Sequence, residues 1–152
     1  MMKRILFVCL GNICRSPIAE GVARHIITQK GVPLKVDSAG TSAWHQGEAP
    51  CTHSVKVCQQ HGIDISKQTS RPVKEADKAD FDYIVAMDAQ NKNDLEAMGF
   101  QDVILLGDLG GYDGADVPDP YYFPGFEGFE KVFEMIERAT GDLIAQIASK
   151  HD

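Results

Sequence analysis

Residues 4–17 have the sequence RILFVCLGNICRSP, and this stretch carries the strongest indication of the fold. Residues 4–9 are a strand-length run dominated by apolar side chains, which is typical of a strand buried on both faces of a parallel sheet. Gly11 and Asn12 interrupt the run and suit the unusual backbone angles of a tight loop. Pro17 fits the first turn of a helix, where its missing N–H has no intrahelical partner. The stretch therefore predicts a β-strand, a short loop and an α-helix.

The rest of the chain continues this alternation of strands and helices. Further buried strands are predicted at residues 34–38, 83–87 and 103–106. The first helix is expected to end at Gly31, and later helices are predicted at residues 50–60, at residues 89–98 and from residue 126 onward. The pattern predicts one domain over residues 1–152 with an α/β fold. We expect a three-layer sandwich around a central four-stranded parallel sheet, flavodoxin-like or Rossmann-like.

Composition excludes several classes of protein. The chain has 152 residues, of which 43% are hydrophobic, and its formal net charge is −7. This charge argues against a nucleic-acid or anionic-membrane partner, which would favour a basic surface. No apolar run approaches the roughly 20 residues that span a bilayer, and the N-terminal apolar run is too short for a signal peptide. Four cysteines do not indicate a disulfide scaffold in a chain of this length. We expect a cytoplasmic protein.

The loop after the first strand carries the clearest chemical signal. Ligands of parallel sheets bind beyond the carboxyl ends of the strands, and Cys9, Arg15 and Ser16 lie at such an end. The N–H groups of a tight loop and of a helix N-terminus attract an anion, and an arginine binds two oxygens of a tetrahedral oxyanion. The same field favours a thiolate at Cys9, which could then attack phosphorus while Ser16 stabilises the sulfur.

A phosphoryl transfer to sulfur also needs a proton donor for the leaving oxygen. Residues 116–122, DVPDPYY, offer Asp119 between two prolines, with Tyr121 and Tyr122 directly after them. The two rings could wall a slot for a flat substrate. An ordinary Asp-Pro turn with surface tyrosines is the alternative interpretation of this stretch.

Taken together, these motifs resemble those of the low-molecular-weight protein tyrosine phosphatases. The resemblance rests on residues 8–17 (VCLGNICRSP), on residues 38–42 (SAGTS) with Trp44, on residues 86–88 (AMD) and on residues 119–122 (DPYY). The four blocks cover nearly the whole chain in the order that the family has. The resemblance implies the family's fold and the hydrolysis of phosphotyrosine.

The resemblance also implies a role for each matching residue. Cys9 would form a phosphocysteine intermediate, Arg15 would bind the phosphoryl oxygens, and Asp119 would protonate the leaving phenolate and then activate water. The implied phosphate-binding loop comprises Leu10, Gly11, Asn12, Ile13, Cys14 and Ser16, with Ser38 as its support. The implied wall of the ring slot comprises Trp44, Tyr121 and Tyr122, together with Leu10 and Ile13. No metal or organic cofactor is implied, the partner would be a phosphotyrosine protein or peptide, and phosphate would be the product. A monomer or weak dimer is expected.

Two features depart from the family or extend it. The family often has a histidine two residues before an Ala-Arg-Gln element that supports the loop; the corresponding stretch here is residues 68–72 (QTSRP), where Gln68 could take over the hydrogen bonds of the histidine. In the family, a cysteine at the position of Cys14 can trap an oxidised nucleophile as a reversible disulfide; a small apolar filler is the alternative. Cys51 and Cys58 are expected to be ordinary helix cysteines. His45 is expected in a surface loop, with a place near the pocket mouth beside Trp44 as the alternative.

Three other functions remain open on the sequence. An arsenate reductase would share the loop and the nucleophile, but the DPYY stretch favours the phosphatase. A phosphoarginine phosphatase would tend to have a small polar residue where Ile13 stands. A non-catalytic phosphopeptide-binding module would need the anion loop, but neither the thiolate of Cys9 nor the acid of Asp119.

Overall fold

The computed structural model describes residues 2–120 and 126–150, and a parallel sheet lies at the centre of this part. Its four strands are β1 (Lys3–Cys9), β2 (Leu34–Gly40), β3 (Tyr83–Ala86) and β4 (Ile104–Leu105), in the order β2-β1-β3-β4. Every neighbouring pair is parallel, so the predicted four-stranded parallel sheet is confirmed.

Helices cover both faces of the sheet. They are α1 (Arg15–Lys30), α2 (Thr52–Gln60), α3 (Asp77–Asp80), α4 (Ala89–Ala97) and α5 (Glu127–Lys150). Successive side chains of β1 point to opposite faces: Ile5 and Phe7 belong to the core beneath α1, α2 and α5, whereas Leu6 and Val8 belong to the core on the side of α4. This two-sided burial explains why the first strand is apolar throughout, and it gives the three layers that the sequence predicts.

The long C-terminal helix, predicted from residue 126 onward, buries a single apolar stripe. Phe129, Val132, Phe133 and Ile136 are buried against the α1 side of the sheet, and Phe126 just before the helix is half-buried. In the described part of the chain, no helix is long and apolar enough to cross a membrane.

The strands differ from the prediction mainly at their ends. β2 extends to Gly40, which pairs with Cys9. β4 has two residues instead of four, because the chain turns into a short 3-10 helix at Leu106–Asp108 and only Ile104 and Leu105 pair with β3.

Close packing at the end of β2 brings two predicted site segments together. The Thr41 N–H donates to the Cys9 carbonyl at 2.9 Å, and the Ser42 N–H donates to the Leu10 carbonyl at 3.0 Å. A Cβ on Gly40 would lie 2.7 Å from the Leu10 carbonyl oxygen, which is too close for any side chain, so only glycine fits at this position. A third segment joins them beyond β3, where the Val117 N–H donates to the Met87 carbonyl at 2.8 Å.

Candidate active site

The loop between β1 and α1 wraps around the sulfur of Cys9. Asn12 has a left-handed backbone (φ 56°), and its N–H donates to Cys9 Sγ at 3.2 Å. The Ser16 hydroxyl lies 3.0 Å from the same sulfur, and α1 begins at Arg15 directly behind it. These donors and the positive end of the helix surround the sulfur with positive partial charge.

Gly11 does not share the left-handed conformation of Asn12, so that part of the prediction is wrong. It lies where a Cβ would come within 2.9 Å of the His45 ring, and its carbonyl accepts a hydrogen bond from the Ser70 hydroxyl at 2.9 Å. Glycine is needed at this position because it has no side chain, and not because of its backbone angles.

A buried chain of hydrogen bonds supports the loop from behind. Asn12 Nδ2 donates to Ser16 Oγ at 2.8 Å and to Ser38 Oγ at 2.9 Å. The Ser38 hydroxyl donates in turn to Glu20 Oε1 at 2.6 Å, and Arg24 donates to Glu20 Oε2 at 2.8 Å. Burial raises the pKa of Glu20, and its hydrogen bonds to Ser38 and Arg24 oppose that rise. The network holds Asn12 in the strained conformation that turns its N–H towards the sulfur.

Part of this support was not predicted from the sequence. Glu20 could have been found, because it is an acidic residue four positions after Ser16 and therefore lies on the same, buried face of α1. Ser70 and Arg71 lie in residues 68–72, the stretch that corresponds to the family's loop-supporting element, and the Arg71 N–H donates to Asn12 Oδ1 at 3.1 Å. Gln68 contacts the Pro17 carbonyl through Nε2 at 3.2 Å, and its buried Oε1 has no hydrogen-bond partner in the structure.

Arg15 is held in place by groups from two other elements. Its Nη1 donates to Asp88 Oδ2 at 2.6 Å and to the Val117 carbonyl at 3.0 Å. Burial alone lowers the pKa of Arg15, but the negative charge of Cys9 and the hydrogen bond and charge of Asp88 outweigh it, and the net shift is upward. The guanidinium therefore stays charged in the lining of the cavity.

Asp88, two residues beyond the end of β3, performs two tasks. Its Oδ1 accepts from the Asn91 N–H at 2.7 Å and caps α4, while its Oδ2 binds Arg15.

Substitutions of Asp88 should separate these two tasks. We expect Asp88→Asn and Asp88→Ala each to lower kcat by about tenfold, because both release the guanidinium of Arg15 from its fixed orientation. Only Asp88→Ala removes the cap, so its free energy of unfolding should be about 1 kcal/mol below that of Asp88→Asn. Steady-state kinetics and urea unfolding of the two variants measure these effects. Unchanged kcat in Asp88→Asn would contradict a positioning role.

The loop floors a cavity of about 230 Å³. The residues that line it are Cys9, Leu10, Gly11, Ile13, Cys14, Arg15, Trp44, His45 and Asp119. Trp44 is 81% exposed and stands at the rim, whereas Cys9 is 3% exposed. Asp119 reaches this cavity because the preceding loop is fixed beside β3, where Asp116 Oδ1 accepts from the Ala89 N–H at 2.8 Å. Tyr121 and Tyr122 lie outside the described residues.

His45 lies at the mouth of the cavity, in a surface loop. Its ring lines the cavity, and its Nδ1 lies 2.8 Å from Glu48 Oε2. A surface position and a place at the cavity mouth are both correct, since the side chain is 37% exposed.

The cysteines outside the nucleophile position show an arrangement that the sequence did not reveal. Cys14 Sγ lies 2.9 Å from Cys51 Sγ. Cys51 precedes α2 and forms its N-cap, so describing it as an ordinary helix cysteine is wrong; Cys58 is buried within that helix as expected. The hydrogen bond to Cys51 and burial raise the pKa of Cys14.

A doubly wound sheet with a thiol held inside an anion-binding loop defines a class of proteins that transfer an oxyanion group to sulfur. A sequence model of the family described as "Low molecular weight phosphotyrosine protein phosphatase" matches residues 4–152. The chain therefore belongs to the low-molecular-weight phosphotyrosine protein phosphatase family, as the motifs had suggested.

Individual relatives agree with this assignment. The low molecular weight protein-tyrosine-phosphatase YfkJ of Bacillus subtilis is 42% identical over 153 residues, which cover 96% of each chain. The YfkJ crystal structure has a TM-score of 0.90 and 41% identity, over 100% of this chain and 98% of that one. A protein tyrosine phosphatase from Entamoeba histolytica has a TM-score of 0.90 at 36% identity over 99% of each chain. A drosophila arginine phosphatase has a TM-score of 0.88 at 32% identity, over 96% of this chain and 98% of that one.

Proposed function

We propose that this protein is a protein tyrosine phosphatase that hydrolyses aryl phosphate monoesters through a phosphocysteine intermediate. The observation that carries the proposal is the placement of Cys9. Its sulfur lies at the base of a cavity, receives the Asn12 N–H at 3.2 Å, and shares the lining of that cavity with Arg15 and Asp119. A thiolate, a fixed cation and an acid are the three groups that a two-step phosphoryl transfer requires.

In the first step, the Cys9 thiolate attacks phosphorus and the bond to the leaving phenolate oxygen breaks. Arg15 and the loop N–H groups bind the equatorial oxygens, where negative charge is concentrated in the transition state. Asp119 gives its proton to the phenolate. In the second step, Asp119 takes a proton from water as that water attacks the phosphocysteine, and Cys9 leaves with help from the Ser16 hydroxyl, 3.0 Å from its sulfur.

The shape of the cavity supports an aryl substrate. Its floor is a buried thiol, while Leu10, Ile13 and Trp44 give its walls apolar surface. An aromatic ring can occupy such a slot while its phosphate reaches the floor, whereas the short side chain of phosphoserine would leave the phosphate above the sulfur. The net charge of −7 opposes an anionic substrate only weakly, because exposed charges are screened over about 8 Å at physiological salt.

Substrate comparison tests the proposal. With a chelator present and no added metal, the protein should release phosphate from a phosphotyrosine peptide. Peptides of the same sequence with phosphoarginine or phosphoserine should be hydrolysed far more slowly, since Ile13 offers the phosphoarginine guanidinium no polar partner. Preference for phosphoarginine would reassign the substrate within the same mechanism. No release from any peptide, together with arsenate-dependent thiol oxidation, would indicate a reductase, and phosphopeptide binding without either reaction would indicate a binding module.

Replacement of the proposed acid should give a loss that depends on the leaving group. We expect Asp119→Ala to lower kcat for phosphotyrosine peptide by about 10²–10⁴-fold, the range that general acid catalysis contributes. For p-nitrophenyl phosphate the loss should be much smaller, because nitrophenolate departs without a proton. Parallel kinetics with both substrates make the comparison, with Asp113→Ala as a control in the same long loop. Equal losses for the two substrates would show that Asp119 is not the acid.

We also propose that the protein acts in the cytoplasm, as a monomer or weak dimer, on phosphotyrosine proteins or peptides. The acidic composition and the four cysteines support this setting, since an oxidising compartment would favour their pairing into disulfides. Analytical ultracentrifugation tests the oligomeric state.

A further inference from the structure

Cys14 and Cys51 are 37 positions apart in the sequence, yet their sulfur atoms lie 2.9 Å apart. Both are present as thiols. Cys14 belongs to the loop that surrounds Cys9 and lines the same cavity. The three sulfur-bearing residues therefore form a cluster that runs from the cavity floor to the N-terminus of α2.

Hydrogen bonds between the two chain segments hold this cluster together. The Cys51 N–H donates to the Ile13 carbonyl at 2.8 Å, and the Ser54 hydroxyl donates to the Cys14 carbonyl at 3.1 Å. Ser54 Oγ also lies 2.9 Å from Cys51 Sγ. With the backbones fixed in this way, a disulfide bond of about 2.05 Å needs only a small shift of the two side chains.

The other pairing available to Cys51 is excluded by helix geometry. Cys51 and Cys58 are seven positions apart at the start of α2 and within it, so their backbones are separated by about 10 Å along the helix axis. A disulfide needs Cα atoms within about 7 Å. Burial also raises the pKa of Cys58 to about 12, which keeps it an unreactive thiol.

Cys14 is not the thiol that reacts first with an oxidant. The hydrogen bond to Cys51, burial and the nearby negative charge of Cys9 all raise its pKa, and a protonated thiol is a poor nucleophile. Cys9, which accepts hydrogen bonds in its loop, is the primary target.

We propose that Cys51 is a resolving cysteine that transfers oxidation away from the nucleophile, so that peroxide converts Cys14 and Cys51 into a disulfide and leaves Cys9 as a thiol. The inference rests on the proposed function, because it takes Cys9 to be the reactive thiol of the phosphatase.

The reaction consumes one hydrogen peroxide and two thiols. The Cys9 thiolate attacks one peroxide oxygen; an S–O bond forms, the O–O bond breaks and hydroxide leaves. Cys14 sulfur then attacks Cys9 sulfur; an S–S bond forms, the S–O bond breaks and the thiol proton leaves with the oxygen as water. Finally, Cys51 sulfur attacks Cys14 sulfur, the new S–S bond replaces the first, and Cys9 departs as thiolate. The proton from Cys51 neutralises the hydroxide, so the products are one disulfide and two waters.

The last exchange is favoured by the site around Cys9. The Asn12 N–H and the Ser16 hydroxyl lie 3.2 Å and 3.0 Å from its sulfur and stabilise it as a leaving thiolate. An enzyme oxidised once should therefore retain its phosphatase activity, whereas one without Cys51 would remain trapped with Cys9 bonded to Cys14.

Disulfide mapping tests the proposal without using turnover. The reduced protein is treated with one equivalent of hydrogen peroxide, alkylated, digested with trypsin and analysed by mass spectrometry. Cys9 and Cys14 lie in one tryptic peptide, residues 5–15, and Cys51 lies in another, residues 36–56. We expect the two peptides to be cross-linked through Cys14, with Cys9 alkylated.

Variants supply the matched comparison. Cys51→Ser should have wild-type activity before oxidation but form only the internal disulfide of peptide 5–15. After one equivalent of peroxide, the wild type should be about fivefold more active than Cys51→Ser, and dithiothreitol should remove the difference. Cys58→Ala should behave as the wild type in both assays.

Two results would overturn the proposal. One is an internal Cys9–Cys14 disulfide in the wild type with no cross-link to residues 36–56; the other is sulfinic acid on Cys9 without any disulfide. A cross-link in a protein that releases no phosphate from phosphotyrosine would instead leave the redox pair intact and refute the proposed activity.

Discussion

Replacement of Cys9 by serine should abolish turnover while leaving the site intact. We expect kcat of Cys9→Ser to fall by at least about 10⁴-fold, because a serine hydroxyl is not ionised at neutral pH and cannot replace the thiolate as nucleophile. The oxygen occupies the place of the sulfur, which the Asn12 N–H and the Ser16 hydroxyl contact at 3.2 Å and 3.0 Å, so the loop should keep its conformation. Phosphate release from a phosphotyrosine peptide measures the loss.

Binding measurements separate loss of chemistry from loss of the site. Cys9→Ser should still bind inorganic phosphate within about tenfold of the wild-type Kd, since the charge of Arg15 and the loop N–H groups remain. Cys58→Ala, a change at a buried cysteine outside the cavity, serves as the control and should keep wild-type activity. Substantial activity in Cys9→Ser would rule out the covalent mechanism.

The second large effect should come from Arg15. We expect Arg15→Lys to lower kcat by about 10³-fold, which corresponds to about 4 kcal/mol of transition-state stabilisation. A lysine keeps the charge but not the planar fork that can bind two phosphoryl oxygens while another nitrogen stays on Asp88 and the Val117 carbonyl, at 2.6 Å and 3.0 Å. Steady-state kinetics on phosphotyrosine peptide measure the effect.

The appropriate control is a similar change at an exposed arginine. Arg138 lies on α5, where its ion pair with Glu134 is solvent-exposed on both sides. Arg138→Lys should leave kcat unchanged, since exposed ion pairs contribute little. If Arg15→Lys also keeps near-wild-type kcat, then charge alone is sufficient at this position and the bidentate interaction is unnecessary.

Much of the fold could be predicted because buried strands and packed helices have characteristic patterns of apolar residues in the sequence. The apolar run in β1 reflects burial on both faces, and the stripe on α5 reflects a single packed face. The ends of the strands and helices were harder to predict from the sequence. Leu106 is as apolar as the residues before it, so the sequence does not show that the strand ends there. In the structure β4 ends early because a 3-10 helix begins at Leu106.

The candidate site also has a part that could be predicted from the sequence and a part that could not. The loop from Cys9 to Ser16 is contiguous in sequence, and its spacing alone indicates an anion site. The groups that support it come from distant segments, and no local pattern indicates that Arg71 meets Asn12 or that Cys51 meets Cys14. Such contacts depend on how the chain beyond β2 returns to the sheet edge, which is decided by tertiary packing.

Direct detection of the phosphoenzyme is the decisive test of the covalent mechanism through Cys9. The wild-type protein is mixed with p-nitrophenyl phosphate, quenched in acid during turnover, digested and analysed by mass spectrometry. We expect one phosphoryl group on the sulfur of Cys9, within residues 5–15, and none in Cys9→Ser. Turnover with no phosphorylated peptide, or a phosphoryl group on another residue, would contradict that mechanism.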